Sequence, residues 1–575
     1  MKITACKTNH MRSPLGFAMD SAVVSWIAES EISQKQDRAQ IRVALDPRME
    51  NIIYESDPAR SAGLDSTGTK LPVELKSRTA YYWTVQVWGD AGDTAISEVN
   101  YFETGKREET LAGQWITTPW EDRSRSPYMR KSFCLEDKPQ KARLYIVGLG
   151  LALPEVNGAR VNEEYFAPGC TAADKWVQIY TYDVTELLQD GENMLGVLLG
   201  NGWIKGPYGN KPHIHKNAVD RFLLNAELRL EWADGREQVI VTDETWECAP
   251  SPVLFNTLYD GEVYDAREEI EGWSSAACSS KPLEQAGKGA GKSEKDAVTQ
   301  CSQSAQSRPW EKVQLAENVK LGNPEDRLSL PIIVKEKITP VELIHTPDGN
   351  MVLDLGQNIA GWVRMRVAEP AGTQIRLSFG GILQNGNFYR GNLGKAKQEY
   401  IYISDGTEQW VEPHFTFYGF RYVKVERITA DAVVEPALSD FEGCVVYSDL
   451  EQTGEITTSD WRINRLFANA KWSQKDNFLD LPTDCPQRNE RQGWTGDAQV
   501  ICKTASYNME TYAFFSKFLH DLWKDQEVNK GMVGHVVPCL LEGVKEESTF
   551  WDGGSCAWGD AATIIPGRYT VIMVM

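Results

Sequence analysis

Residues 480–499, DLPTDCPQRNERQGWTGDAQ, set three aspartates, one glutamate and two arginines around a Cys-Pro break and a tryptophan between glycines. Pro482 and Pro486 lack the N–H that a helix interior needs, and Gly493 and Gly496 permit tight backbone paths, so residues 482–496 are predicted to form a loop. Asp484, Glu490 and Asp497 put three carboxylates on this short span, with Arg488 and Arg491 interleaved. Like charges held close raise one another's pKa, and each arginine lowers it. A carboxyl among carboxylates can stay protonated near neutral pH, as a general acid must, and protonation of a glycosidic oxygen is work for paired carboxyls. Trp494 adds a flat apolar face of the kind that stacks on sugar C–H groups. Two other readings stand beside this one. The loop is also compatible with a solvated segment held by ion pairs. A metal site is the third, against which count the absence of histidine and an acidic spacing sparser than that of calcium loops.

The flanks of the loop have helical periodicity. Trp461, Ile463, Leu466, Phe467 and Ala470 precede it at near-helical spacing, and Tyr512, Phe515, Leu519 and Leu522 follow it in the same way. A helical domain is therefore expected from 450 to 575, with the loop joining two of its first helices. Upstream the period changes to two. TAYYWTVQVWG alternates Tyr81, Trp83, Val85 and Val87 with Tyr82, Thr84, Gln86 and Trp88, which predicts a small β-sandwich over residues 1–105. A second strand-rich block spans 113–313 and holds turn signals at VNG and QDGEN. A third β domain is expected over 330–447, where GWVRMRVAEPAGTQIRLSFG and FTFYGFRYVKVERI alternate again. Within the second block, residues 277–308 are rich in Ser, Gly, Lys and Gln and nearly free of large apolar side chains. They are read as a flexible surface insertion, with a functional tail-like element as the alternative.

Composition narrows the function classes. The 575 residues allow about four domains, and 42% hydrophobic with 25% charged residues describes a globular chain with several cores. A net charge of −21 repels nucleic acid and anionic membranes, so neither is expected as a partner. The N-terminus has no apolar run suited to a signal peptide and no stretch approaches about 18 apolar residues, which leads to the expectation of a cytoplasmic protein. Eleven scattered cysteines without CxxC pairs fit reduced thiols better than disulfides or zinc.

The 480–499 segment resembles the signature of bacterial α-L-rhamnosidases, the inverting enzymes of glycoside hydrolase family 78. YYWTVQVWGDAGDTAISEVNYFETG looks like the end of their fibronectin type III-like module, and YTYDVTELLQDGENMLGVLLGNGW is similar to their accessory jelly-roll-like domain. DLGQNIAGWVRMRV and FTFYGFRYVKV look like the concanavalin-like β-sandwich before the catalytic domain, and WGDAATIIP continues the helical pattern. The resemblance implies a multidomain fold class: N-terminal β-sandwich domains followed by the beginning of an (α/α)6 six-hairpin barrel. It implies hydrolysis of terminal α-L-rhamnose from rhamnose-containing oligosaccharides or glycosides, with inversion and without a cofactor or metal. Glu490 falls on the general acid, Asp484 and Asp497 on residues that hold sugar hydroxyls, Arg488 on a further polar contact, and Trp494 and Trp558 on apolar walls. Trp558 also reads as a core tryptophan, and Asp560 beside it is a weaker candidate.

The pattern also breaks. Asn489 stands where the family usually has an aspartate, a change expected to bear on the pKa of the acid. The family's general base would fall beyond residue 575, and GRYTVIMVM departs from the family pattern, so a truncated, inactive chain is expected. Glu542, Glu546 and Glu547 are candidate substitutes for the base, or solvated surface acids. A catalytically incomplete sugar-binding fragment and a related (α/α)6 glycosidase acting on another sugar remain as alternatives. The sequence leaves homodimer formation open.

Overall fold

The computed structural model describes residues 1–59, 64–208, 219–276, 310–428, 436–539 and 554–572. The expected insertion at 277–308 and the acids Glu542, Glu546 and Glu547 lie outside these residues. The chain is multidomain, with strand-rich parts first and helices last.

The period-two pattern is realised in the first block. Strand Ala80–Gly89 pairs with Gln36–Ala44 and Asn100–Thr104, and Tyr81, Trp83, Val85 and Val87 are all buried. They face Val24 and Trp26 of a second, three-stranded sheet, Lys2–Thr8, Val23–Glu29 and Thr69–Lys70. Apolar alternation thus closes a two-sheet core. In the second block the VNG signal is a hairpin between Leu151–Val156 and Ala159–Arg160. Asn157 and Gly158 carry φ of 53° and 84°, the left-handed pair that a two-residue hairpin turn needs.

The strands Val253–Thr257 and Gly261–Asp265 leave the second block. Gly261–Asp265 pairs in parallel with Glu399–Ile403, so both join the ten-stranded sheet of the third block. Within that sheet Met351–Val367 lies between Tyr418–Arg427 and Phe441–Ser448. Its core continues into the helices: Trp362, Phe417 and Phe420 belong to one cluster with Phe478, Phe514, Phe515 and Phe518.

The longer described helices are α1 (Trp461–Asn477), α2 (Thr495–Asn508), α3 (Tyr512–Val528) and α4 (Ala561–Ile572). On α3 the spacing finds Phe515 and Leu522, which are in the core, and Leu519, which packs against it, whereas Tyr512 is half-buried and the core residues Phe514 and Phe518 lie outside the set it picks. It fails for α1. Trp461, Ile463 and Leu466 are 74%, 50% and 69% exposed, and the buried residues of α1 are Gln474 and Asp476 at its C-terminal end. The reason is that α1 docks by polar contacts: Asp476 Oδ1 accepts the Ala360 N–H at 2.9 Å, and Gln474 pairs with Asn508 of α2. No described helix is long and apolar enough to cross a membrane.

A buried charge cluster fastens α3 to the second block. Lys517 lies 2.9 Å from Asp480 and 2.8 Å from Asp521 and donates to the Cys170 carbonyl at 2.6 Å. Trp176 Nε1 donates to Asp521 at 2.9 Å, and Lys175 pairs with Asp525. Burial pushes the Asp525 carboxyl up to about 7, against the pull of Lys175.

Candidate functional site

The predicted loop is a loop. It leaves α1 through a two-residue ladder, Phe478–Leu479 against Leu481–Pro482, and ends where α2 begins at Thr495. Thr483 turns back onto the Asn477 carbonyl, and Asp484 and Gln492 close the loop on itself, with N–H to carbonyl at 3.1 Å and Gln492 N–H to Asp484 Oδ1 at 2.9 Å.

Arg491 is the anchor. Its side chain is fully buried, with φ of 51°, and Nη1 donates to the carbonyls of Leu258 and Phe417, each at 2.7 Å. Nη2 donates to Gln398 Oε1 at 3.2 Å, and the guanidinium lies over the Phe417 ring at 4.6 Å. Burial lowers its pKa to about 10. The Tyr259 hydroxyl donates to the Glu490 carbonyl at 2.8 Å, and the Tyr208 hydroxyl to that of Arg491 at 3.1 Å. The loop is therefore shaped by residues more than 200 positions upstream. Asn489 serves the same end: its Oδ1 accepts the Lys395 N–H at 2.8 Å, so the family departure sits on a backbone tie.

The carboxylates sort by environment. Glu490 Oε2 accepts from Arg488 Nε at 2.7 Å, and Arg488 Nη2 stands 3.7 Å from Asp484 Oδ2. One oxygen of Asp484, one of Glu490 and the Cys485 Sγ lie within 4.8 Å of one another. The half-exposed Arg488 guanidinium meets both acids and brings positive charge to them. Asp484 has a side chain only 9% exposed. Burial, with the Glu490 charge adding to it, pushes its pKa up to about 6. Asp497, in the first turn of α2, is exposed, and its pKa is raised by partial desolvation and then by Glu490. The Cys485 thiol is pushed up to about 12, chiefly by burial.

A cleft of about 480 Å³ opens beside the loop, and Asp484, Asp497 and Trp558 line it together with residues of α1 and α2. Arg488, Glu490 and Trp494, expected at the site, are outside this lining: Glu490 lies beside Asp484, which does line it, and Trp494 is the residue before α2. Trp558 is in place because position 496 is a glycine: a Cβ there would come within 2.7 Å of Trp558 Nε1 and 2.8 Å of Cε2. His535 supports the same ring, with centroids 5.6 Å apart, and binds Ser555 Oγ through Nε2 at 3.0 Å. Asp560 is exposed at the start of α4 and outside the lining. Tyr259 and His535 carry site geometry without any local signal, and Arg491, read in the sequence as a charge among the acids, holds backbone carbonyls instead.

Four family models tile the chain in order. Residues 3–108 match a Rha78A-like, N-terminal immunoglobulin domain, and 137–314 an alpha-L-rhamnosidase N-terminal domain. Residues 344–447 match the bacterial alpha-L-rhamnosidase concanavalin-like domain, and 451–571 the 6 hairpin glycosidase domain. The chain belongs to the bacterial α-L-rhamnosidase family. An alpha-L-rhamnosidase of Formosa agariphila is 30% identical over 97% of this chain and 58% of that protein. One of Streptomyces avermitilis is 33% identical over 82% of this chain and 42% of that protein. The crystal structure of an α-L-rhamnosidase from Aspergillus terreus superposes with a TM-score of 0.84 at 29% identity, covering 98% of this chain and 62% of that one. The chain thus spans about half the length of the curated rhamnosidases it matches, and its helical part corresponds to the six-hairpin glycosidase domain.

Proposed function

We propose that this chain carries the acid side of an α-L-rhamnoside-hydrolysing site. The observation that carries the reading is one cleft lined by Asp484, Asp497 and Trp558, with Glu490 within 4.8 Å of the lining residue Asp484. Asp484 and Asp497 accept hydrogen bonds from rhamnose hydroxyls, and Trp558 covers an apolar ring face. Glu490 parts from Arg488 and takes up a proton, then gives that proton to the glycosidic oxygen; the C–O bond breaks as water attacks the anomeric carbon from the opposite face and passes its own proton to the base. Inversion needs the acid and base carboxyls about 6.5–9.5 Å apart. Asp484, whose nearer oxygen is closer to Glu490 than that, leaves no room for the water and is a binding group. The base is a carboxylate outside the described residues.

The same observation favours a second reading, sugar binding without turnover, because the described lining offers no carboxylate besides Asp484 and Asp497. Rhamnose release from an aryl α-L-rhamnoside, with Glu490→Gln as control and the product anomer followed by NMR, separates the two. Inverted sugar that is lost in the variant supports hydrolysis. No release, with rhamnose still bound, supports the binding reading, and release that survives Glu490→Gln overturns the acid assignment.

A further inference from the structure

The segment that carries Trp558 has little of its own to hold it in place. Cys556–Gly559 is one short helical turn, parted from α4 by Asp560, and none of its residues is buried. A lone turn fixes many dihedrals for few hydrogen bonds and is a weak element by itself. The Trp558 and Gly559 N–H groups meet the Ser555 carbonyl at 3.1 and 2.8 Å, and the Asp560 N–H meets that of Cys556 at 3.2 Å. The Ala557 carbonyl accepts instead from a side chain of α2, the Gln499 amide nitrogen. With His535 on Ser555 at 3.0 Å, side chains from elsewhere grip this segment at both residues flanking Cys556, and the Gln499 grip falls directly before Trp558.

On α2, Gly496 and Gln499 stand at i and i+3, on one face of the helix. Gly496 leaves the space into which the indole fits, and Gln499 holds the backbone from which the indole projects. Asp497 lies between them in sequence, and all three residues line the same cleft with Ala557 and Trp558. The Gln499 amide has one orientation open to it, because its nitrogen must face the Ala557 carbonyl. The oxygen is then turned away, and this Oε1 is buried with no hydrogen-bond partner among the described residues. An unpaired buried acceptor lowers stability, so the fold by itself would favour an apolar side chain of similar length at 499. Groups that weaken the fold while fixing a site are what a binding cleft retains.

We propose that Gln499 is a positioning residue of the sugar cleft and acts through Trp558: its hold on Ala557 keeps the indole on the wall of the cleft that Asp484 and Asp497 also line. The inference rests on the rhamnoside reading above for the ligand, and on the Gln499–Ala557 bond for the ring.

The test is a double-variant cycle on the full chain, with Gln499→Met and Trp558→Ala made singly and together. Calorimetric titration with free L-rhamnose, near-ultraviolet circular dichroism without ligand, and thermal melting are compared across the set. Gln499→Met is expected to weaken rhamnose binding by roughly tenfold, the scale of one aromatic contact, and to change the aromatic dichroism. It is expected to melt no lower than the parent, since the unpaired acceptor is gone. In the Trp558→Ala background the same substitution changes neither affinity nor dichroism, because effects that run through one residue do not add. Losses of affinity that add in the double variant, a dichroism change that persists without Trp558, or a lower melting temperature with affinity unchanged each overturn the proposal. Where Trp558→Ala binds too weakly to titrate, the dichroism carries the comparison. A parent chain that binds no L-rhamnose sinks the rhamnoside reading, and the dichroism then decides the hold of Gln499 on Trp558 alone.

Discussion

Replacing Asp484 by asparagine separates what this residue does for binding from what it costs the fold. In the unfolded chain its carboxyl titrates near the ordinary 3.8; in the fold burial raises it to about 6. The folded state therefore prefers the protonated acid. Below about pH 4 both states are protonated and the group costs nothing; as pH rises through about 6 the buried carboxyl must ionise, and stability is lost. At ~1.4 kcal/mol for each tenfold change in the proton equilibrium, the loss at pH 7 is about 3 kcal/mol. Asparagine keeps the acceptor that Oδ1 offers to the Gln492 N–H and never ionises. Asp484→Asn is thus expected to be more stable than the parent at pH 7 by about 3 kcal/mol, with the advantage fading by about pH 4, and to bind rhamnose more weakly. Scanning calorimetry at the two pH values, with a sugar titration at pH 7, measures all three. A variant no more stable than the parent at pH 7, or equally favoured at both pH values, would refute the argument that ionising a buried acid is what costs stability.

Three further outcomes are expected. Gly496→Ala pushes the Trp558 ring from the cleft wall, with overpacking costing ~1–3 kcal/mol; tryptophan fluorescence shifts and sugar affinity falls. Arg491→Met leaves the Leu258 and Phe417 carbonyls without their donor, at ~1–3 kcal/mol each, and hydrogen exchange over residues 484–492 rises while the β blocks stay protected. Lys517→Met strands Asp480 and Asp521 without a cation and costs ~3–5 kcal/mol at pH 7. In urea titrations that loss is smaller at pH 4 than at pH 7, because burial holds the Asp521 carboxyl above its ordinary range and so favours its uncharged form as pH falls.

The loop was legible because prolines and glycines act locally, and so were the first sandwich and part of the α3 face, where burial follows the period of the sequence. The α1 face was misread because apolar spacing reports a helix and not which side finds a partner; α1 docks through Gln474 and Asp476. The transfer of Gly261–Asp265 to the third sheet rests on a parallel pairing with residues 399–403, which no local pattern announces. Arg488 and Arg491 looked alike three positions apart. One meets Glu490 and tunes charge; the other meets backbone carbonyls and holds shape. Burial raises the carboxyls of Asp484 and Asp497, and burial is a tertiary property that the spacing of acids in a sequence does not report.

The dependence of the loop on Tyr208, Leu258, Tyr259 and Phe417 sets an order of assembly. Synthesis runs from the N-terminus, so Tyr208, Leu258, Tyr259, Gln398 and Phe417, which hold Arg491 and the carbonyls of Glu490 and Arg491, are all made before residue 484. The acid loop is cast in a mould that already exists, and helices grafted without that mould would carry the right letters in the wrong shape.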